Sequence, residues 1–177
     1  MQTALENWNY RARKYGYDAV GVIGTKNEVQ EAQYAQTKKF LKDKLPQDKS
    51  VLDYGCGVGR LSELFNPELY TGMDISPEML KIARKTHPEY TFLDLGEIPE
   101  TDIFFTANVL QHNGDSFVQG LQIPAKELYL YELIGTGEDK QYLFHRTVKD
   151  YERLLGLKCQ KKWKNKSHTL MYYVNHS

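Results

Sequence analysis

The residues best suited to chemistry in this 177-residue chain form a glycine-rich turn beside an acid. Asp53 ends a short apolar run and is followed by Gly55, Gly57 and Gly59 at alternate positions. Because glycine lacks a β-carbon, such a turn can bend sharply, and a ligand can lie against its bare peptide groups at the start of a helix. The Asp53 carboxylate is then placed to accept a hydrogen bond from an ammonium or hydroxyl group of that ligand. Taken alone, the turn also fits a flexible surface loop.

A second acid favours a nucleoside as the ligand. Asp74 ends the next apolar run, about 20 residues after Asp53, and an acid at that separation reaches the ribose hydroxyls in nucleotide-binding sheets. The glycine pattern is Asp-x-Gly-x-Gly-x-Gly, which differs from the Gly-x-Gly-x-x-Gly of dinucleotide-binding proteins. The alternative is that Asp74 is only a turn residue at the end of a strand.

Four segments, in order, resemble the motifs of the class I S-adenosylmethionine-dependent methyltransferases. They are residues 53–59 for the first motif, Asp74 for the ribose-binding acid, Asp94 and Leu95 for the adenine side, and residues 108–112 for the segment after the fourth strand. The likeness runs from Ser50 to about His112 and extends more loosely to the C-terminus. It implies S-adenosyl-L-methionine as the cofactor and methyl transfer as the reaction.

The same resemblance implies which residues bind the cofactor. The first acid and the glycine turn would contact its methionine part, and the second acid would hold its ribose. Apolar residues after the second and third strands would pack on the adenine, and an amide after the fourth strand would lie near the methionine end. The implied residues are Asp53, Gly55, Cys56, Gly57, Asp74, Ile75, Asp94, Leu95 and Asn108.

Methyl transfer asks little of the protein, because the sulfonium is already a strong electrophile and alignment dominates the rate. A base is needed only when the acceptor must lose a proton. His112 is the best candidate, since it follows the fourth strand and a neutral imidazole is available near about pH 7. Glu132 and His145 are further candidates at strand ends. Each of the three can instead tie a helix or loop in place.

The motifs favour a small-molecule acceptor. Enzymes that methylate amino groups of DNA bases carry Asp/Asn-Pro-Pro-aromatic after the fourth strand, whereas this chain has Asn-Val-Leu-Gln at 108–111. Pyrimidine C5 enzymes need a Pro-Cys nucleophile, and neither Cys56 nor Cys159 has that context. The lysines of residues 158–166, around Trp163, could bind RNA or an anionic acceptor. We favour the alternative that they protect an edge strand from aggregation, so nucleic acid is not the expected partner.

Alternating strands and helices must position these residues, as in a parallel sheet with helices on both faces. The predicted strands cover residues 50–54, 69–74, 90–93, 102–107 and 127–132. Because parallel strands end at one edge, the residues that follow them would share one crevice. Residues 157–164 and 168–174 predict a closing antiparallel hairpin. The predicted fold is α/β, a three-layer Rossmann-like methyltransferase sheet that is mostly parallel.

Capping residues predict where the helices begin. Ser76 and Pro77 suit the cap and first turn of one helix, and Thr147 with Asp150 forms a capping pair for another. The helices predicted after the glycine turn cover residues 59–65, 76–87, 115–122 and 147–155. Residues 96–100 are too few for a full helix after the third strand.

We expect one domain over residues 1–177, since no segment resembles a linker. It would comprise an N-terminal lid segment, 1–26, a leading helix, 27–46, and a Rossmann-like core, 50–177. The residues suggested for the lid are Arg11, Arg13, Tyr15 and Tyr17. The alternative is an exposed tail held by a few aromatic side chains.

Composition limits the partners. The 23 Lys and Arg residues balance 23 Asp and Glu residues, so no overall field attracts nucleic acid or a membrane surface. The two distant cysteines fit neither a metal site nor a disulfide framework, which favours a reducing, cytoplasmic setting without a metal. The N-terminus does not resemble a signal peptide, and no run approaches the roughly 20 apolar residues of a membrane span. The edge hairpin could pair with a second copy, so a monomer or homodimer is expected.

These observations favour an enzyme that transfers a methyl group to an O or N atom of a small molecule. Two rivals remain. One is a non-catalytic partner or sensor that binds the same cofactor. The other is an enzyme that uses the cofactor differently, as in aminopropyl transfer or cofactor cleavage.

Overall fold

The computed structural model describes residues 3–20, 27–139 and 143–176. The chain forms two compact units, Met1–Glu97 and Ile98–Ser177. The single domain expected over residues 1–177 stays a prediction.

The first unit contains three parallel strands in the order β3-β2-β1. They are β1, Val51–Tyr54, β2, Tyr70–Asp74, and β3, Thr91–Asp94. All four β1 residues are buried, which explains its uninterrupted apolar sequence. Asp74 pairs in register with Asp94, so the ends of β2 and β3 lie side by side.

Helices pack around these strands. They are α1, Ala4–Tyr15, α2, Asn27–Lys42, and α3, Pro77–Thr86. The predicted Ser76 cap of α3 is confirmed, because its side chain accepts a hydrogen bond from the Met79 amide. The leading helix ends at Lys42, inside its predicted range. Residues 16–20 form a 3-10 helix. Residues 21–26 lie outside the described ranges.

The helix predicted over residues 59–65 is wrong. Only a 3-10 turn, Ser62–Leu64, forms there, and Phe65 is already extended. The glycines before it explain the difference, because Gly55, Gly57 and Gly59 all have positive φ angles. Left-handed residues at alternate positions interrupt the hydrogen-bonding pattern that an α-helix needs.

The second unit contains four strands in the order β4-β5-β7-β6. They are β4, Ile103–Ala107, β5, Glu127–Leu133, β6, Cys159–Asn165, and β7, His168–Val174. The first two are parallel, whereas β7 runs antiparallel to both β5 and β6. The predicted C-terminal antiparallel hairpin is therefore confirmed.

Two helices complete this unit, α4, Asp115–Gln119, and α5, Val148–Leu155. The predicted capping pair is present, because the Thr147 and Asp150 side chains each accept a backbone hydrogen bond from the other residue. Gly156 ends α5 in the left-handed conformation. As expected, residues 95–102 contain no helix. Within the described ranges, no helix combines the length and apolarity that a membrane crossing requires.

Candidate functional site

The glycine turn after β1 closes over the end of β2. The amides of Gly55 and Cys56 both donate to the Met73 carbonyl, at 2.7 and 3.0 Å. A β-carbon on Gly57 would lie 2.6 Å from a methyl group of Val20, and one on Gly59 would lie 3.0 Å from the Phe92 ring. Positive φ angles and lack of space therefore both require glycine at these two positions.

Asp74 lies where the glycine turn meets the start of α3. One carboxylate oxygen accepts from the Gly57 amide and the other from the Ser76 amide, both at 2.8 Å. The side chain is buried, and burial raises its carboxyl pKa although these backbone hydrogen bonds oppose the shift. Each oxygen can accept a second hydrogen bond, so the carboxylate suits the paired hydroxyls of a ribose.

Asp53 is buried within the same unit. Its carboxylate accepts a hydrogen bond from the Tyr70 hydroxyl at 2.8 Å. Burial raises the Asp53 pKa to about 7, and the negative charge of Asp74 adds to the rise. Burial also raises the pKa of the Cys56 thiol. A cation bound at this place would favour the ionised acids, because it offsets the lost hydration.

Exposed apolar side chains lie beside these acids. Ile75 and Leu95 are large aliphatic residues that are each 43% exposed. The Leu95 amide donates to the Asp74 carbonyl at 3.1 Å, which holds the two segments together. The Asp94 side chain is 68% exposed and pairs with Arg84. This surface suits the face of an aromatic ring such as adenine.

The first unit therefore brings together eight of the nine residues suggested for the cofactor. They are Asp53, Gly55, Cys56, Gly57, Asp74, Ile75, Asp94 and Leu95. Their binding roles remain predictions.

The N-terminal segment packs directly on the glycine turn. The Val20 methyl group contacts Gly57, and the Ser76 hydroxyl donates to the Asn9 side chain at 2.7 Å. Trp8 and Tyr17 border a small core that includes Val58. The suggested lid thus has a docked position, although the suggested lid residue Arg13 is largely exposed and pairs with Glu78.

Sequence reasoning missed Arg60, which secures this segment. Its guanidinium is 3% exposed and forms 2.6 Å ion pairs with Asp18 and Glu31. It also lies over the rings of Tyr17 and Tyr34, at 4.2 and 4.5 Å from their centroids. The available signal was an arginine directly after the glycine motif, in a chain whose N-terminal segment carries acids.

In the second unit, Asn108 follows β4 with a φ of 58°, a rare conformation for a residue other than glycine. Its amide donates to the Tyr131 carbonyl at 2.9 Å. Its side-chain oxygen is buried and has no hydrogen-bond partner among the described residues. An unpaired buried acceptor is costly, so this oxygen suits a ligand donor such as an ammonium group.

Glu132, at the end of β5, is completely buried. Its carboxylate accepts hydrogen bonds from three consecutive backbone amides, those of Val109, Leu110 and Gln111. Burial raises the Glu132 pKa to about 7 against the lowering effect of these bonds. Both oxygens are engaged by the main chain.

The two histidines occupy different surroundings. His112 ends the 3-10 turn Leu110–His112 and is half-buried, with its Nε2 atom 3.4 Å from the side-chain nitrogen of Gln111. His145 follows the second gap in the described chain and lies against Gly137. Its Nδ1 atom is 3.9 Å from an Asp139 oxygen. Among the described residues, no group of three or more His, Cys, Asp or Glu residues is arranged to hold a metal ion.

Solved structures share this fold. One is magnesium protoporphyrin IX methyltransferase (ChlM) from Synechocystis PCC 6803 with bound SAH, at a TM-score of 0.68 and 19% identity over 94% of this chain and 97% of that chain. Another is phosphoethanolamine N-methyltransferase 1 from Haemonchus contortus, at a TM-score of 0.69 and 14% identity, covering 94% of this chain and 47% of that chain. A third is CalO1, a methyltransferase in calicheamicin biosynthesis, at 0.64 and 16% over 82% and 55%. No curated protein matches the chain.

At these identities the likeness establishes the fold, which is the predicted Rossmann-like, class I methyltransferase fold. The sequence itself supplies the family. Residues 27–144, more than half of the chain and parts of both units, match a family model described as a methyltransferase domain. The chain therefore belongs to the methyltransferase domain family and has the class I S-adenosylmethionine-dependent fold.

Proposed function

We propose that this protein transfers a methyl group from S-adenosylmethionine to an O or N atom of a small-molecule acceptor. One observation carries the proposal. The Asp74 carboxylate is tied to the glycine turn and lies beside the exposed Ile75 and Leu95 side chains. An acid beside an apolar surface matches the ribose and adenine of a nucleoside.

The residues present fit the cofactor. Asp74 would accept hydrogen bonds from the ribose hydroxyls, and Ile75, Asp94 and Leu95 would surround the adenine. The glycine turn, Gly55 to Gly57 with Cys56, and the Asp53 carboxylate would hold the methionine part. The unpaired side-chain oxygen of Asn108 supports a role toward the ammonium group. When bound, the cofactor supplies an electrophilic methyl group on a sulfonium.

The protein's own contribution is to orient the acceptor and take its proton. His112 is half-buried on a turn after β4 and is our candidate to accept a proton from an O–H or N–H group. His145 is a second candidate, since its ring carries a buried Nδ1 atom without a hydrogen-bond partner among the described residues. The buried acids would favour the cationic cofactor through their negative charge.

Two observations favour a small-molecule acceptor over DNA. The segment after β4 lacks the Pro-Pro-aromatic sequence of DNA amino-methylating enzymes. Structural neighbours include a magnesium protoporphyrin IX methyltransferase and a phosphoethanolamine N-methyltransferase. A small, non-polymeric acceptor is consistent with both.

The proposal is tested by supplying the protein with methyl-labelled S-adenosylmethionine and a cell metabolite extract. We expect a labelled small molecule in the mass spectrum, absent when the protein is omitted. Label released as free products of cofactor cleavage, or no label transferred at all, would contradict methyl transfer to a small molecule.

The cofactor site is tested separately by calorimetry. We expect the change Asp74→Asn to weaken S-adenosylmethionine binding by about tenfold or more, because one acceptor for the ribose is lost. Asp48→Asn is the matched control, since Asp48 is exposed and precedes β1, at the opposite end from Asp53. Equal affinities of the two variants would show that Asp74 does not bind the ribose.

A further inference from the structure

Buried side chains, rather than the turn's own sequence, fix the conformation of the segment that follows β4. This segment, residues 108–113, is Asn-Val-Leu-Gln-His-Asn, in which only the two asparagines are common turn residues. It nevertheless begins with the left-handed Asn108 and continues into a 3-10 turn. A positive φ at a non-glycine residue costs about 1 kcal/mol or more and persists only where the surroundings enforce it.

Glu132 holds the start of this segment. One of its oxygens accepts from the Val109 and Leu110 amides, each at 3.1 Å, and the other accepts from the Gln111 amide at 3.2 Å. These donors are the unpaired amides at the beginning of a helical turn, where a negative charge is favourable. The side chain thus replaces an external anion as the ligand of these amides.

Arg146 holds the end of the same segment and is 3% exposed. It donates to the Leu110 carbonyl at 2.8 Å and to the Asn113 carbonyl at 2.7 Å. Its guanidinium also forms an ion pair with Asp115, which begins α4. The buried Glu132 carboxylate therefore binds the amides of this segment, and the buried Arg146 guanidinium binds its carbonyls. These charge-assisted hydrogen bonds leave the backbone of the segment little freedom.

Hydrogen bonds between uncharged groups also hold this segment in place. The Gln111 side-chain oxygen accepts from the Leu133 amide, and the Gln111 carbonyl accepts from the Phe144 amide, both at 2.8 Å. The Asn113 side-chain nitrogen donates a hydrogen bond to the Val109 carbonyl at 2.8 Å. The turn is consequently rigid at the atoms that aim Asn108 and His112.

We propose that Glu132 is a positioning residue. Together with Arg146, which binds the other end of the segment, it sets the turn that carries Asn108 and His112. This assignment differs from the general base that the sequence suggested for Glu132. A base must reach the acceptor, whereas the Glu132 carboxylate is completely buried and faces three backbone amides. The effect on turnover rests on the proposed function, while the effect on the turn does not.

Amide hydrogen exchange, resolved by residue, tests the turn directly. In the wild-type protein, the Val109, Leu110 and Gln111 amides should exchange slowly, as those of a strand do. In Glu132→Gln, one acceptor becomes an NH2 group facing an amide, so these amides should exchange about tenfold faster. Glu127→Gln, which removes the same charge at the other end of β5, should leave them unchanged.

Methyl transfer into the metabolite extract tests the positioning role. Glu132→Gln should lower the transfer rate about tenfold to a hundredfold, because catalytic groups displaced by about 1 Å lose that much. Combining it with His112→Ala should lower the rate by less than the product of the two single losses, since part of the Glu132 effect passes through His112. If the double variant lost the full product of the two single losses, Glu132 would not act through His112, and its positioning role would be contradicted.

The two proposals can fail separately. Fast exchange of the three amides in the wild-type protein would overturn the positioning role of Glu132 even if the protein methylates a small molecule. This measurement needs no variant to fold. If the amides exchange slowly in the wild type and faster in Glu132→Gln, but the wild type gives no labelled product, the positioning role of Glu132 is supported and the proposed reaction is overturned.

Discussion

At the scale of single residues, the buried acids of the first unit are costly to ionise. Asp53 is buried with one hydrogen bond, from Tyr70, and its pKa is raised to about 7. Hydrogen bonding does not offset the loss of hydration, so the ionised form destabilises the folded chain. Such a group is retained where a bound ligand needs it.

This reasoning gives a prediction for Asp53→Asn. The amide keeps the shape and an acceptor for Tyr70 but carries no charge. We expect the free energy of unfolding, measured with urea, to rise by about 2 to 3 kcal/mol more at about pH 8 than at about pH 5, where Asp53 of the folded chain is protonated. S-adenosylmethionine affinity should fall. Asp48→Asn is the control, and a loss of stability at about pH 8 in Asp53→Asn alone would contradict the argument.

At the scale of elements, the strands and capped helices were predictable because their signals are local. Apolar runs specify β1, β2 and β4, and the Ser76 and Thr147 caps specify α3 and α5. The helix after Gly59 was mispredicted because three left-handed glycines break the pattern over several residues. Local composition does not report backbone angles.

Contacts between distant residues could not be predicted. Arg60 binds Asp18 and Glu31, which lie 42 and 29 residues away, and Glu132 binds amides more than 20 residues away. These partners meet only after the strands have paired. The sequence therefore indicated which polar residues lie at the strand ends, but not which of their side chains bind the main chain.

Arg60 allows a prediction about the N-terminal segment. Arg60→Lys loses the fork between Asp18 and Glu31 and the flat stacking on two tyrosines. We expect a loss of about 2 to 4 kcal/mol in unfolding free energy and faster chymotrypsin cleavage within residues 3–20. Arg13→Lys, at an exposed pair with Glu78, should change neither measurement. Identical behaviour of the two variants would show that Arg60 does not secure the segment.

At the scale of the whole molecule, three buried carboxylates should dominate the dependence of stability on pH. Burial raises the pKa of Asp53, Asp74 and Glu132, to about 7 for Asp53 and Glu132. Above the ordinary carboxyl range and below about pH 7, the folded chain then binds more protons at these sites than the unfolded chain does. By linkage, their contribution to the unfolding free energy falls as the pH rises, by up to about 1.4 kcal/mol per unit for each group.

The cofactor should reverse part of that fall. A bound cation lowers the pKa of nearby acids, so S-adenosylmethionine should stabilise the protein more at about pH 8 than at about pH 5. Thermal unfolding at both pH values, with and without saturating ligand, measures the difference. Adenosine is the control, because it offers the ribose and adenine without either positive charge, and its stabilisation should depend less on pH. If S-adenosylmethionine and adenosine showed the same dependence on pH, the buried acids of the first unit would not face the charged end of the cofactor.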